Sequence, residues 1–390
     1  MKMPKLVWLL VIGMAVNVTG ASLVWPLNTI YLHNELGKSL SLAGFVLMLN
    51  SFASVLGNLL GGTMFDKYGG YRSILIGIII SMLSLVGIIF LHGWPWYAIW
   101  LVILGFGSGI VFPSIYAMAG TAWPQGGRKT FNAIYLSQNI GVALGAALGG
   151  FIAELSFDYI FMLNLMLYVV FFCIAVFGYR SSKVVQTGGN VMKDVGNIKD
   201  KHRFTALILI CITYCVCWVG YVQWQSTISS YTQDLGISLK QYSLLWAVNG
   251  VLIIVGQPLI RPVIHLMSEK IKLQIATGLI IFIISYVVTS FAQDFTMFVV
   301  GMVILTIGEM FVWPAVPTIA NELAPEGRTG VYQGIVNSTA TLGRAIGPVL
   351  GGMIVDMYNM HFMFYTMIGF VCIGFIFLSI YDKRIKTPSV

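Results

Sequence analysis

The sequence predicts an all-α membrane protein of twelve transmembrane helices, arranged as two six-helix bundles related by pseudo-two-fold symmetry. Three observations lead there. Only 9% of the 390 residues are charged while 58% are hydrophobic, whereas soluble domains carry about 25% charged residues. Twelve segments are apolar over the roughly 20 residues a helix needs to cross the hydrocarbon. A pattern of prolines, arginine and glycines between residues 112 and 150 also recurs between 313 and 352. The composition excludes a soluble enzyme, a disordered chain and a disulfide scaffold.

The spans fall at about 6–30, 41–65, 73–92, 96–119, 131–153, 159–179, 205–229, 242–265, 273–291, 296–320, 330–354 and 362–381. The first outruns a signal peptide and no small-residue cleavage site follows it, so it is read as a retained span. Lysine and arginine set the orientation. With the N-terminus inside, 18 of the 22 lie in inner segments and only Lys38 and Lys240 in outer loops, Arg261 and Arg344 falling within spans. Both termini are therefore expected in the cytoplasm, with the protein multi-pass in the cell (plasma) membrane. This topology also accounts for the net charge of +8. No basic patch with interleaved aromatics on a soluble module suggests nucleic acid. Residues 1–180 form the first predicted bundle and 205–390 the second. The basic stretch 181–204 between them is read as a cytoplasmic linker against anionic lipid headgroups. The five cysteines all lie in apolar stretches and read as small hydrophobes.

The duplication is visible residue by residue. Phe112-Pro113, Pro124, Arg128, Gly141, Gly145, Gly149 and Gly150 correspond to Trp313-Pro314, Pro325, Arg328, Gly343, Gly347, Gly351 and Gly352. The offsets are 201 for the prolines, 200 for the arginine and 202 for the glycines, and Asn50 and Gly57 match Asn249 and Gly256 at 199. Repeated six-helix halves with a site near the bilayer midplane are an architecture of secondary transporters.

Two motifs sharpen this. After the second span stands Gly62-Thr63-Met64-Phe65-Asp66-Lys67-Tyr68-Gly69-Gly70-Tyr71-Arg72. The eleventh span carries Gly343-Arg344-Ala345-Ile346-Gly347-Pro348-Val349-Leu350-Gly351-Gly352, and the fifth has the same glycine spacing with Ala146 in place of the proline. Over essentially its whole length the chain resembles the major facilitator superfamily. The first motif is similar to that family's loop signature, Gly-x-x-x-Asp-Arg/Lys-x-Gly followed by basic residues. The second is similar to its antiporter signature, whose usual place is the fifth helix. The resemblance implies the twelve-helix fold and a cytoplasmic gate built on Gly62, Asp66, Lys67, Gly69 and Arg72. It is closest in kind to the family's drug–proton antiporters.

The residues themselves suggest chemistry. Asp66 ends the second span, where its carboxylate can meet the positive N-terminal end of the helix starting near Thr329, or pair with Arg72 or Arg128. The ladders Gly141, Gly145, Gly149 and Gly343, Gly347, Gly351, the latter with Pro348, put smooth stripes on two helices. Small residues allow close packing in a membrane, and these faces are expected to slide or rock against the eighth and second spans. Glu309 stands in the middle of the tenth span. A carboxylate at that depth is a functional hypothesis by default: burial penalises its charged form, so it can load and release a proton as access alternates. At about 1.5 Å per residue, Glu309 and Arg344 lie roughly 18 and 21 Å from the cytoplasmic ends of their helices. A Glu309–Arg344 pair is one expectation. An anionic substrate group held by Arg344 is another.

The remaining polar and aromatic residues outline a substrate cavity: Trp25, Asn28, Asn50, Tyr116, Gln138, Tyr214, Trp218, Tyr221, Asn249, Trp313 and Asn337. An aromatic-rich, charge-poor lining suits lipophilic or cationic amphiphiles through apolar contact and cation–π attraction. The expected function is proton-coupled efflux of such compounds by antiport, by a monomer that uses the proton gradient and no cofactor. Rival expectations are a specific metabolite or peptide carrier, possibly a symporter, and a non-transporting membrane sensor on the same fold. No phosphate loop, nucleophile elbow or metal-ligand cluster indicates an enzyme.

Overall fold

A computed structural model of the chain describes residues 3–24, 27–28, 31–38, 40–153, 156–180, 201–267 and 270–383. Trp25 and most of the expected linker lie outside these residues. Among them the chain is helical with no strand. The first half comprises α1 (Lys5–Val24), α2 (Leu40–Tyr68), α3 (Gly70–Phe90), α4 (Trp96–Ala122), α5 (Arg128–Ala153) and α6 (Phe157–Gly178). The second comprises α7 (Lys201–Tyr221), α8 (Thr227–Asp234), α9 (Leu239–Leu266), α10 (Ile271–Ser290), α11 (Phe295–Val312), α12 (Ala315–Leu323), α13 (Thr329–Met357) and α14 (Met360–Ile380). The expected linker residues 201–204 are the first turn of α7, because hydropathy marks where the apolar layer begins rather than where the helix does.

Two expected spans are each built from two helices. The seventh runs through α7, a tight turn at Val222–Gln225, and α8. The Gln223 side chain holds this break, donating from Nε2 to the carbonyls of Val219 and Gly347 at 2.8 Å each and accepting from Thr227 Oγ1. The tenth is interrupted between α11 and α12, at Trp313-Pro314. Proline removes a helical donor and crowds the preceding turn, and here Pro317 follows one turn later. In the first half, Pro113 stands without such a partner and is absorbed inside the continuous α4.

Among the described residues, ten helical segments are long and apolar enough to cross a bilayer by length and composition. The two long helices outside that set, α5 and α13, are the ones that carry the glycine ladders. The chain packs as two units, Met1–Ile198 with Ala324–Ser338 and Lys199–Leu323 with Thr339–Val390.

The duplication seen in the sequence is a duplication of packing. In the first unit the ladder of α5 lies on α1: a Cβ at Gly141 would meet Ala15 and Val18, at Gly145 Thr19 and Ser22, and at Gly149 Leu23. In the second unit the ladder of α13 lies on α7 and the turn after it, with Gly343 against Cys215 and Trp218, Gly347 against Val219 and Val222, and Gly351 against Gln223. The expectation that these stripes face the eighth and second spans is therefore corrected. They bring helices together within each half, against backbone of α1 along the α5 ladder and against both backbone and side chains along the α13 ladder. The second pair of close approaches also repeats, Gly77 on Gly107 in one unit and Gly278 on Gly308 in the other. So does a hydrogen bond: Ser84 Oγ donates to the Trp100 carbonyl, and Ser285 Oγ, 201 residues on, donates to the Gly301 carbonyl.

Because backbone atoms occupy the space beside Gly145, a Gly145→Leu variant is expected to lose about 1–3 kcal/mol of stability, the cost of overpacking. Gly352→Ala, where a Cβ meets nothing within 4 Å, should be neutral. Thermal unfolding of the two purified variants in detergent, compared with the parent chain, checks the contrast.

Candidate functional site

The second unit gathers its polar chemistry around Glu309. This residue sits in the last turn of α11 and is 1% exposed. From α9, Asn249 Nδ2 donates to Glu309 Oε1 at 2.8 Å and to Thr306 Oγ1 at 2.9 Å. Thr306, one helical turn before Glu309, passes its own hydroxyl proton to the Met302 carbonyl at 2.7 Å. The Tyr221 hydroxyl, at the end of α7, is hydrogen-bonded with Glu309 and with Asn249. Three helices thus deliver an amide, two hydroxyls and a carboxyl to one buried point. Such a set can serve both forms of the acid, since hydroxyls can donate or accept.

Beside it stands an aromatic cluster. The Trp218 and Trp313 rings stack at 4.7 Å with an interplanar angle of 7°. Tyr214 and Tyr221 meet Trp313 edge-on at 5.5 and 5.6 Å, and Phe282 tilts against it at 5.6 Å. Trp246 from α9 reaches Tyr221 at 6.1 Å. Over the Trp218 ring lies Arg344, its guanidinium 4.8 Å from the ring centroid and one nitrogen 3.4 Å from Thr341 Oγ1. Glu309, through Tyr221, and Arg344, through Trp218, both reach one aromatic cluster. The sequence anticipates Tyr214, Trp218, Tyr221, Asn249, Trp313, Glu309 and Arg344, and the structure brings these together. It misses Thr306, Trp246 and Phe282; the i, i+3 spacing of Thr306 before Glu309 is the signal that could have found the first.

The other expected cavity residues are engaged elsewhere. In the first unit Asn28 accepts from the Tyr97 hydroxyl at 2.8 Å inside the core. Asn50 donates to the Leu101 carbonyl, and the Tyr116 hydroxyl donates to Gln138, whose amide reaches the Met14 sulfur. Asn337 donates to the carbonyl of Gln333 in its own helix. The repeat makes a useful comparison here. Asn50 and Asn249 occupy matching places, but at offset 201 the first half has Ser108 where the second has Glu309. Ser108 merely bonds back to the Gly105 carbonyl.

A second acidic site lies where α2 meets the start of α13, within the first unit. Asp66, 7% exposed, accepts from the Gly330 N–H at 2.8 Å through one oxygen and from the Val331 N–H at 2.9 Å through the other. Of the partners suggested by the sequence, the helix end is the one these hydrogen bonds reach, and Arg328 acts on the carboxylate electrostatically. A carboxylate at a helix N-terminus satisfies orphan donors and opposes the helix dipole favourably. The approach is close: a Cβ at Gly62 would strike Gly330, and one at Gly330 would strike Gly62 and Asp66. Gly69, at φ +83°, starts α3 in the left-handed region open to glycine. Lys67 and Arg72 are exposed, Lys67 lying 5.2 Å over the Tyr68 ring, while Arg128 is largely buried.

The family model for the Major Facilitator Superfamily matches residues 10–273 and 225–390. The chain belongs to the major facilitator superfamily. Membership makes it a multi-pass membrane transporter rather than an enzyme. An uncharacterized superfamily transporter of Bacillus subtilis, YttB, is 54% identical over 387 residues, covering 99% of this chain and 98% of its own. The quinolone resistance protein NorA of Staphylococcus aureus is 25% identical over 364 residues, 91% of each chain. Among solved superfamily structures, a bacterial homologue of the iron transporter ferroportin, in an outward-facing state, superposes with a TM-score of 0.80 at 14% identity, over 97% of this chain and 100% of that one. The human organic anion transporter MFSD10 gives 0.75 at 14% identity, over 96% and 99%. These two establish likeness of fold.

Charge-assisted hydrogen bonds contribute about 1.5–3 kcal/mol. Replacing Asp66 by Asn should therefore raise hydrogen–deuterium exchange at the Gly330 and Val331 amides by roughly tenfold or more. Exchange in the middle of α13 should stay unchanged.

Proposed function

We propose that this transporter couples proton movement to the export of lipophilic amphiphiles by substrate/proton antiport, with Glu309 as the proton carrier. The observation that carries the reading is the carboxyl of Glu309, buried in an apolar span and held by Asn249 and Tyr221. A group in that position is costly unless neutralised or hydrogen-bonded, and its partners accommodate it in either state. The adjoining cluster of Tyr214, Trp218, Tyr221 and Trp313 offers flat apolar faces for the cargo, and polarizable rings attract organic cations as well. Likeness to the quinolone resistance protein supports export.

In this reading Asp66, with Gly62, Lys67, Gly69 and Arg72, holds the start of α13 closed on one side of the membrane, and proton loading at Glu309 shifts the balance of access. Arg344, over the Trp218 ring of the same cluster, tunes that equilibrium. In the same reading both termini lie on the cytoplasmic side of the cell membrane, which the Lys and Arg distribution favours, and the transporter works as a monomer driven by the proton gradient. A second reading, a carrier for a specific metabolite or peptide that could run as a symporter, draws on the guanidinium of Arg344 beside the cluster.

The test is flux in inside-out vesicles under an imposed pH gradient, with a panel of amphiphilic dyes. Glu309→Gln keeps the shape and one hydrogen-bonding oxygen but carries no titratable proton. It should abolish accumulation driven by the gradient while leaving dye binding and gradient-independent exchange in place. Full proton-driven accumulation by this variant would exclude Glu309 from coupling.

A further inference from the structure

We propose that the first unit holds a bound-water site between α1, α3 and α6, built on Asn17 and Asn164, and that the second unit is dry at the matching place. The inference is independent of where the cargo binds.

Three observations carry it. Asn17 and Asn164 are 1% and 0% exposed, and among the described residues neither the amide oxygen nor the amide nitrogen of either has a hydrogen-bond partner. Buried amides in that condition are rare, and internal water is the usual remedy. Next, the helix packing sets the two on facing stripes. Cβ atoms at Gly13 and Gly20 of α1 would meet Phe171 and Asn164 of α6. Asn17, four residues after one glycine and three before the other, lies on the same face. Tyr168 follows Asn164 by one turn and reaches Ser81 of α3, both of them buried. Finally, the repeat shows that packing does not require these polar groups. The buried faces of α3 and α10 correspond at offset 201 and those of α6 and α14 at 203, while the ladder contacts align α1 with α7 at 200. On that register Asn17, Ser81, Asn164 and Tyr168 stand where the second unit has Cys217, Phe282, Met367 and Val371, which are buried as well. One half builds this core from apolar side chains, the other with two amides and two hydroxyls. The ligand that fits is small and neutral. α1, α3 and α6 are charged only within their first three residues, at Lys5, Arg72 and Asp158. No counter-charge lies further along them to balance an ion, which is costly at such depth. Water both donates and accepts, which suits an amide that presents both kinds of group.

The experiment is X-ray hydroxyl-radical footprinting of the purified full-length protein in detergent, with mass spectrometry of the oxidised peptides. Irradiation makes radicals from water wherever it is bound, so a buried side chain is labelled only beside such a molecule. Tyr168 should be oxidised. Met367 and Cys217, whose sulfur reacts readily with radicals but which lie in the dry counterpart, should not. The double variant Asn17→Val/Asn164→Leu replaces both amides by apolar groups and should lose the Tyr168 label. If the double variant does not fold, Asn164→Leu alone decides, with a reduced Tyr168 label expected. An unlabelled Tyr168 in the parent chain, a label unchanged in the variants, or oxidation of Met367 to the same extent as Tyr168 would overturn the proposal. A cation in place of water is separated by exchanging choline chloride for sodium chloride at constant ionic strength. An unfolding temperature and a Tyr168 label that stay the same support water. A sodium-dependent rise in unfolding temperature that the parent chain shows and Asn164→Leu lacks would overturn it.

Discussion

A carboxylate removed from water must find hydrogen-bond donors, and this constraint shapes both acidic sites of the transporter. Asp66 and Glu309 are each almost wholly buried, and the protein satisfies them in different ways. Asp66 receives two backbone N–H groups from the first turn of α13, fixed in direction by the helix they belong to. Glu309 receives a side-chain amide and shares hydroxyl partners. Backbone donors of this kind serve an acceptor and nothing else. Amides and hydroxyls reorient. One acid therefore behaves as a fixed clasp while the other has partners suited to a change of protonation, a division of labour set by the donors rather than by the acids themselves.

The two halves show what duplication keeps and what it releases. Close backbone approach is retained in both copies, because α5 on α1 and α13 on α7 depend on glycines at the same spacing, and α3 on α4 and α10 on α11 depend on another matched pair. Side-chain chemistry has diverged on this common frame. Asn50 bonds to a carbonyl of α4, whereas its counterpart Asn249 bonds to Thr306 and Glu309 of α11. Ser108 became the counterpart of a carboxylate and Val142 the counterpart of an arginine. Proline placement has diverged too, leaving α4 continuous and splitting the tenth span beside the aromatic stack.

Much of this was legible in the sequence, for a physical reason. Hydrocarbon admits only helices of sufficient length, so hydropathy locates the spans, and an ionisable residue in their middle stands out against an apolar background. Glu309, Asp66 and the ladders announced themselves in this way. What the sequence did not disclose is direction around a helix axis. The ladders of α5 and α13 could have faced any neighbour, and the expected partners, the eighth and second spans, were not the ones found. Asn28, Asn50 and Asn337 look in sequence like cavity residues, and each makes a hydrogen bond to a local or core partner. The break after Tyr221 carries no proline signal, and Gln223 holds it by reaching a carbonyl more than a hundred residues away. Pairings of this kind belong to tertiary structure and have no local signature.

The ladder contacts have an implication for how such a molecule can change. Where main chain rests on main chain, nearly every replacement is a collision, so the chassis is closed to gradual variation. The rings and the arginine around Trp218 meet one another through side chains, where a replacement displaces no backbone. Under the proposed function, new cargo preferences in descendants of this protein would enter through that small plate of aromatics, while the rods that carry it stay as they are.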